Sequence, residues 1–245
     1  MPELLTKQLR WFMNAAPGYW SAHEKTDNKI IYLNPRMVHI SGFKNLADAE
    51  GRGVEEVHAP VAKYATIFKQ QNKEVITARH PKEYFDTHHY TDNWYCFHGI
   101  KKPFIQANAN QEAPHKPRDA DDAIAGVIYH GTDITTPATI ELAHYLAACD
   151  GKASAQVSYE IGATSGPYRL SEAQQRLLFW QLRDTPSQAL AQRLGYNRYQ
   201  LAAQQEQLWQ YLGVSNHLDC MSKAIALGYR QMLPKSLFLA YGDAL

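Results

Sequence analysis

The spacing of hydrophobic residues changes near residue 135, and this change divides the chain into two parts. Before it, short apolar or alternating segments are separated by polar turns, which is typical of strands in an antiparallel sheet. After it, apolar residues recur every three or four positions, which is typical of amphipathic helices. We therefore predict an α+β protein with a sheet-based first domain and an all-α second domain.

Strand-like segments dominate the first part. Apolar residues at helical spacing from Glu3 to Asn14 predict a short helix, which Pro17 and Gly18 end. Polar turns at 26–28 and 91–93 each join two strand-like segments, as in a hairpin. Strands are predicted at 19–25, 29–33, 84–89, 94–105 and 125–130, helices at 37–40, 46–50 and 61–77, and an exposed loop at 108–122.

The second part is predicted to be helical almost throughout. A helix over Ile140–Cys149 precedes a stretch rich in Gly, Ser and Ala at 150–167, which we interpret as a linker with a short strand at 156–161. From Leu170 to Leu233 the pattern is helical, with breaks at 184–186, 195–197 and 213–216.

Composition narrows the classes of function. The 25 Lys and Arg residues nearly balance the 24 Asp and Glu residues, so charge alone would not hold the chain on nucleic acid. Cys96, Cys149 and Cys220 match no zinc or redox spacing, which suggests a reducing compartment. No apolar run is long enough to span a bilayer, and no secretory signal pattern is visible, so we expect a cytoplasmic protein without a membrane partner.

Three segments of the first part resemble the PAS family. They read KIIYLNPRMVHISGFKNLADAEGRG at 29–53, TDNWYCFHGIKKPF at 91–104 and GVIYHGTDIT at 126–135. The resemblance implies an antiparallel sheet with flanking helices that enclose a cavity. Two local features agree with it, because Asn34 can cap a helix that starts at Pro35, and Gly42 suits a backbone with positive φ.

The sequence leaves the occupant of this cavity open. Flavin chemistry of the photoreceptor type needs a reactive cysteine, which the matching stretch 51–55 lacks, so we exclude it. Haem stays an alternative because His58, His80, His88, His89 and His98 crowd the domain. A small organic ligand or an empty pocket would fit the pattern as well, so the cofactor is unknown, and no metal site is predicted. The candidate lining residues, which simple core packing would also explain, are Tyr32, His88, Trp94, Cys96, Phe104 and Tyr129.

Residues 170–229 resemble the LuxR-type DNA-binding domain along nearly their whole length. Ser171 and Gln174 have the spacing of a capping box at the first helix. A second helix starts at 186–187, Gly195 forms the turn, and Asn197 caps a third helix that stops at LGVSN, 212–216. We expect Gly195 because a side chain would not fit between the two helices.

The resemblance implies that the third helix enters the major groove. No Lys or Arg lies between Arg198 and Gly213, and Glu206 would repel phosphate, so we expect modest affinity. Arginines would contact phosphates, and glutamines can read adenine edges. The candidate DNA-binding residues are Arg176, Arg193, Asn197, Arg198, Gln200, Gln204 and Gln205.

No arrangement of residues typical of an active site is present, so we predict a regulator and not an enzyme. We interpret 1–16 as an N-terminal helix, 17–135 as a PAS-like sensor, 136–169 as a connecting helix and linker, and 170–245 as a four-helix helix-turn-helix domain. The predicted function is a signal-responsive transcription regulator that binds double-stranded DNA as a homodimer. The expected dimer surface is Leu218, Met221, Ile225 and Tyr229. Two rival functions stay open, an interaction or dimerisation adaptor that no longer binds DNA, and a haem-type sensor.

Overall fold

The computed structural model describes residues 4–105, 124–162 and 168–242. The chain separates into two compact units, Met1–Thr135 and Thr136–Leu245. The exposed loop predicted at 108–122 lies outside the described residues. Among the residues that are described, no helix combines the length and the hydropathy needed to cross a bilayer.

The first unit is built on an antiparallel sheet with flanking helices, as predicted. Within this unit the strand order is β2-β1-β5-β4-β3, and every neighbouring pair is antiparallel. The strands are β1 (Tyr19–Glu24), β2 (Ile30–Leu33), β3 (Lys82–His89), β4 (Trp94–Ile105) and β5 (Ile124–Asp133). The helices are α1 (Lys7–Ala15), α2 (Pro35–Ile40), α3 (Leu46–Ala49) and α4 (Ala65–Ala78), with short 3-10 turns at Val54–Glu56 and Pro60–Tyr64.

Asn34 caps α2 as predicted, and its side chain also bonds to the backbone at residues 18 and 20. The side-chain oxygen of Asn34 accepts a hydrogen bond from the Met37 amide at 3.0 Å and another from the Trp20 amide at 3.2 Å. Its amide nitrogen donates to the Gly18 carbonyl at 3.0 Å. One side chain therefore starts α2 and also holds it against β1.

The turn after α2 confirms the expectation for Gly42. Its φ is +76°, and a Cβ atom there would lie 2.7 Å from the His58 carbonyl oxygen. Both the backbone conformation and the close approach of residue 58 therefore require glycine.

Helix α1 covers one face of the sheet, and its boundaries differ from the predicted ones. It begins after Thr6, whose hydroxyl accepts from the Leu9 amide at 3.2 Å, so the helix starts later than Glu3. Leu5 and Met13 are buried in a cluster with Ala22, Tyr32 and Phe104. This cluster lies on the face opposite Ser21 and His23, because side chains alternate along β1.

The second unit contains the predicted series of helices. Its helices are α5 (Pro137–Cys149), α6 (Glu172–Gln181), α7 (Ser187–Leu194), α8 (Arg198–Leu212), α9 (His217–Ala226) and α10 (Lys235–Gly242). Helix α5 starts three residues before the predicted Ile140, because Thr136 caps it and Pro137 occupies its first turn. The expected strand is β6 (Val157–Ile161), which pairs in parallel with the unpredicted two-residue strand β7 (Met232–Leu233).

Candidate ligand cavity and candidate DNA-binding surface

A small cavity lies inside the first unit, between the inner face of the sheet and the helices that cover it. Its volume is about 80 Å³. The apolar part of its wall is Ile30, Leu33, Met37, Val54, Val57, Val61 and Phe68, and the polar part is Ser21, His23, Ser41, Asn72, Asp86, Tyr90, Lys101 and Tyr129. Apolar cavities of about 150 Å³ can hold a benzene molecule. An occupant of this cavity must therefore be small.

Lys101 supplies a buried amine to the cavity wall. Its Nζ donates to Asn72 Oδ1 at 2.8 Å and to the Phe68 carbonyl at 3.3 Å, and the side chain is almost fully buried. Burial lowers the pKa of Lys101 to about 8, although the negative charges of Asp86 and Glu74 act in the opposite direction. The amine therefore changes protonation much closer to neutral pH than an exposed lysine does.

Asp86 brings a carboxylate to the same wall. It is buried on β3, and its charge raises the pKa of Tyr90 and of Tyr129, in both of which burial is the larger cause. The two phenols therefore stay protonated and can donate hydrogen bonds. The wall of the cavity thus presents a cation, an anion and neutral hydroxyl donors.

His23 adds a neutral imidazole. Its Nε2 lies 3.1 Å from the Ser21 hydroxyl. Burial, and then the nearby Lys101 charge, lower the pKa of His23 to about 4. At neutral pH the ring therefore carries one donor and one acceptor. A small polar molecule with both kinds of group is the occupant that this wall can recognise.

The structure corrects most of the predicted lining. Tyr129 lies on the cavity wall. Trp94, Cys96 and Phe104 do not, because they alternate along β4 with the inward Lys101 and so occupy the opposite face. The prediction for Tyr32 is also wrong, since this residue packs in the cluster beneath α1.

His88 is close to the cavity without lining it. The ring is fully buried, with centroids 5.0 Å from both the Tyr64 and the Phe68 rings. None of the five histidines considered for haem is part of the cavity wall. Within the described ranges, no group of three His, Cys, Asp or Glu side chains is arranged to hold a metal ion.

Sequence reasoning missed Lys101, Asp86, Asn72 and His23. The available signal was a charged residue inside an otherwise apolar strand: Asp86 between Phe85 and Thr87 on β3, and Lys101 on β4. A charged side chain at such a position is unusual unless it is paired or faces a ligand.

The helix-turn-helix confirms the predicted caps but changes the reason for Gly195. Its φ is +69°, and a Cβ atom there would have nothing within 4 Å. Room for a side chain is therefore not the constraint, and the left-handed backbone is. Asn197 Oδ1 accepts from the amides of Tyr199 and Gln200 at 2.9 Å each.

Capping already occupies two of the predicted DNA-binding side chains, Asn197 and Gln200. Gln200 Oε1 accepts from the Asn197 amide at 2.9 Å, which completes a capping box. Gln200 therefore keeps its amide donors for another partner, whereas the Asn197 oxygen serves the helix. Gln204 and Gln205 are half-buried on α8, and Gln204 donates to Gln207 at 3.3 Å.

The three predicted phosphate-contacting arginines are each held by a neighbour. Arg176 donates to the Arg193 carbonyl at 3.4 Å. The Arg193 guanidinium lies 4.2 Å from the Trp180 ring centroid, and that of Arg198 lies 4.5 Å from the Tyr199 ring centroid. These contacts restrain the three side chains.

The predicted dimer surface on α9 loses Tyr229 and stays a prediction for the other three residues. Leu218 and Ile225 are 74% and 50% exposed, and Met221 is half-buried. Tyr229 is buried instead, because α9 ends at Ala226 and Tyr229 belongs to the next 3-10 turn, where its hydroxyl donates to the Tyr168 carbonyl at 3.2 Å.

No protein-family model matches the chain, and no curated protein matches it. Among solved structures, the chain is similar to the VqmA dimer of Vibrio cholerae, described as a LuxR-type receptor, at 23% identity over 95% of this chain and 93% of that chain, with a TM-score of 0.45. It is similar to a phage VqmA–DPO complex at 24% identity, covering 95% and 91%, with a TM-score of 0.45. It is also similar to the PAS domain of Bordetella pertussis BvgS at 16% identity, covering 59% and 96%, with a TM-score of 0.40.

Proposed function

We propose that this chain is a ligand-responsive transcription regulator whose first unit binds a small molecule and whose second unit binds double-stranded DNA as a homodimer. The observation that carries the proposal is the buried pair of opposite charges, Lys101 and Asp86, on the wall of one small cavity. The same chain carries a capped helix-turn-helix.

The charged and polar groups on the cavity wall support ligand binding, because burying them lowers the free energy of unfolding and so does not serve the stability of the fold. Moving a charge out of water is costly, and apolar residues of similar volume often replace buried ion pairs without loss of stability. A ligand that accepts a hydrogen bond from Lys101 would add to the bonds that its Nζ makes to Asn72 Oδ1 and the Phe68 carbonyl, and the Asp86 carboxylate on the same wall could accept from it. The volume of about 80 Å³ limits it to a compact molecule unless side chains move.

The second unit supports DNA binding through shape and hydrogen bonding more than through charge. Asn197 and Gln200 fix the first turn of α8, so its amides and the Arg198 side chain lie at the end that a groove-binding helix presents first. Arg176, Arg193 and Arg198 provide three cations in each protomer. Few phosphate contacts predict moderate affinity, and sequence preference would then come from glutamine contacts to bases.

Selection from random duplexes with the full-length chain tests the DNA-binding part. We expect an enriched two-half-site sequence. The ligand-binding part is tested by thermal shift against small polar molecules, with DPO, the molecule in the phage VqmA complex, among them. A stabilising molecule should lose its effect in Lys101→Met and keep it in Lys102→Met, the exposed neighbour. Failure to enrich any duplex would remove the regulator proposal, and an effect retained in Lys101→Met would remove the cavity assignment.

One observation favours a second candidate, a dimerisation adaptor that does not bind DNA. Helix α8 has no cation after Arg198 and exposes Glu206, whereas α9 exposes Leu218 and Ile225. This adaptor would form dimers in sedimentation equilibrium and would show no salt-dependent binding to any duplex.

A further inference from the structure

Asp150 is a nearly fully buried carboxylate at the end of the connecting helix α5. It occupies the C-terminal cap position, where its amide donates to the Leu146 and Ala147 carbonyls at 3.1 and 3.2 Å. Its side chain is 2% exposed. A helix end normally points its last residue to solvent, so this burial requires partners for the negative charge.

Four side chains of the second unit converge on this carboxylate. The Tyr159 hydroxyl, on β6, donates a hydrogen bond to Oδ2. Arg230 Nε lies 3.3 Å from Oδ1, and Arg183 Nη2 lies 3.7 Å from the same atom. Lys152 Nζ lies 4.0 Å from Oδ2. Burial raises the pKa of Tyr159, which therefore remains a donor.

The cations also bond to the backbone around Asp150, so the contacts form a closed network. Arg230 donates to the Cys149 carbonyl at 3.1 Å, and Arg183 donates to the Arg230 carbonyl at 3.2 Å. Arg183 also donates to the Phe179 carbonyl at 3.1 Å, and its guanidinium lies 3.8 Å from the Phe179 ring centroid. The end of α5, the end of α6, β6 and the turn before β7 are thus tied to one carboxylate.

The Asp150 carboxylate is the group on which the other side chains of the network depend, because each of the cations pairs with it. Among the described residues, three cations form ion pairs with the Asp150 carboxylate, and the Arg183 side chain is completely buried. Neutralising Asp150 would remove the carboxylate that the buried Arg183 guanidinium and the partly exposed Arg230 guanidinium share. Losing one cation or the tyrosine hydroxyl would leave the carboxylate with other partners.

We infer that Asp150 is a positioning residue for the DNA-binding function: it fixes the end of the connecting helix to the helices of the second unit, so that a displacement of α5 moves them together. The effect on DNA binding rests on the proposed function. In that function a ligand in the first unit would displace α5, which follows directly from β5, the last strand of that unit.

The test compares Asp150→Asn with Asp184→Asn in the full-length chain. Asp184 is an exposed aspartate of the same unit, so the control makes the same charge change without touching the network. Hydrogen exchange measured by mass spectrometry should rise together at 146–152, 157–161 and 228–233 in Asp150→Asn, and should be unchanged in Asp184→Asn. Exchange at wild-type rates in Asp150→Asn would overturn the inference.

The functional readout is the ratio of duplex affinities with and without the stabilising small molecule. Asp150→Asn should keep measurable affinity but bring this ratio to about one, the value for uncoupled sites. An unchanged ratio would contradict the positioning role. If Asp150→Asn does not fold, Tyr159→Phe removes one hydrogen bond only, and should show a smaller rise in exchange in the same three segments. If the wild-type chain binds no duplex, the proposed function fails while the exchange result still decides whether Asp150 connects the segments.

Discussion

Replacing His23 by glutamine should remove a defined part of the acid sensitivity of the first unit. The buried imidazole has a pKa of about 4, whereas its ordinary value is 6.5. Between these pH values the unfolded chain binds a proton that the folded chain does not, so the free energy of unfolding falls as pH decreases. The stability that neutral His23 preserves is therefore complete above pH 6.5 and is lost toward pH 4.

The size of the effect follows from the same shift. One pKa unit corresponds to about 1.4 kcal/mol, so the full window is worth about 3 kcal/mol, of which about 2 kcal/mol falls between about pH 7 and about pH 4.5. Glutamine does not titrate and can still exchange a hydrogen bond with the Ser21 hydroxyl, which lies 3.1 Å from His23 Nε2. Between about pH 7 and about pH 4.5, the free energy of unfolding of the variant should therefore decrease by about 2 kcal/mol less than that of wild type.

Urea unfolding at the two pH values measures this difference directly. The comparison uses the change with pH within each protein, so any effect of the substitution at neutral pH cancels. His58→Gln, at an exposed position of the same unit, is the matched control and should follow wild type. Equal pH dependence in wild type and His23→Gln would refute the reasoning that burial keeps this ring neutral.

Three further predictions concern single residues. Lys101 has a pKa of about 8 in the folded chain and 10.5 in the unfolded chain. Between these pH values the unfolded chain binds more protons, so the free energy of unfolding should increase by about 3 kcal/mol as the pH rises from the lower to the higher value. Urea unfolding should show this increase in wild type and not in Lys101→Met. Gly195→Ala places a side chain at φ +69° and should lower the free energy of unfolding by about 1 kcal/mol although the space is open; a neutral result in thermal unfolding would show that the turn relaxes. Glu206→Lys replaces an exposed anion on α8 by a cation and should tighten binding to the selected duplex in a fluorescence anisotropy titration. An unchanged affinity would place this face of α8 away from DNA.

Local signals allowed the helix starts to be predicted from sequence, because a cap and its acceptor amides lie within a few residues of one another. Asn34, Ser171 and Asn197 each bond to the amide three residues ahead, as their spacing indicated. The two-residue strand β7 gave no such signal, since its partner β6 is some seventy residues away in the chain.

The cavity wall could not be predicted in the same way, because β4 is buried on both faces. Cys96 and the adjacent Phe97 are both completely buried, so alternation alone does not reveal which face meets the cavity. The positions of Trp94 and Cys96 indicated the wrong face. Lys101 was the residue that distinguished the two faces, since only the face with a cavity offers a buried amine a polar partner.

The salt dependence of binding to the selected duplex tests the central claim most directly. With three phosphate-contacting arginines in each protomer of a dimer, the slope of log K against log salt concentration should be about −5, and Arg198→Ala should make it shallower by about 2. A slope near zero, or one that Arg198→Ala leaves unchanged, would contradict the placement of α8 on DNA.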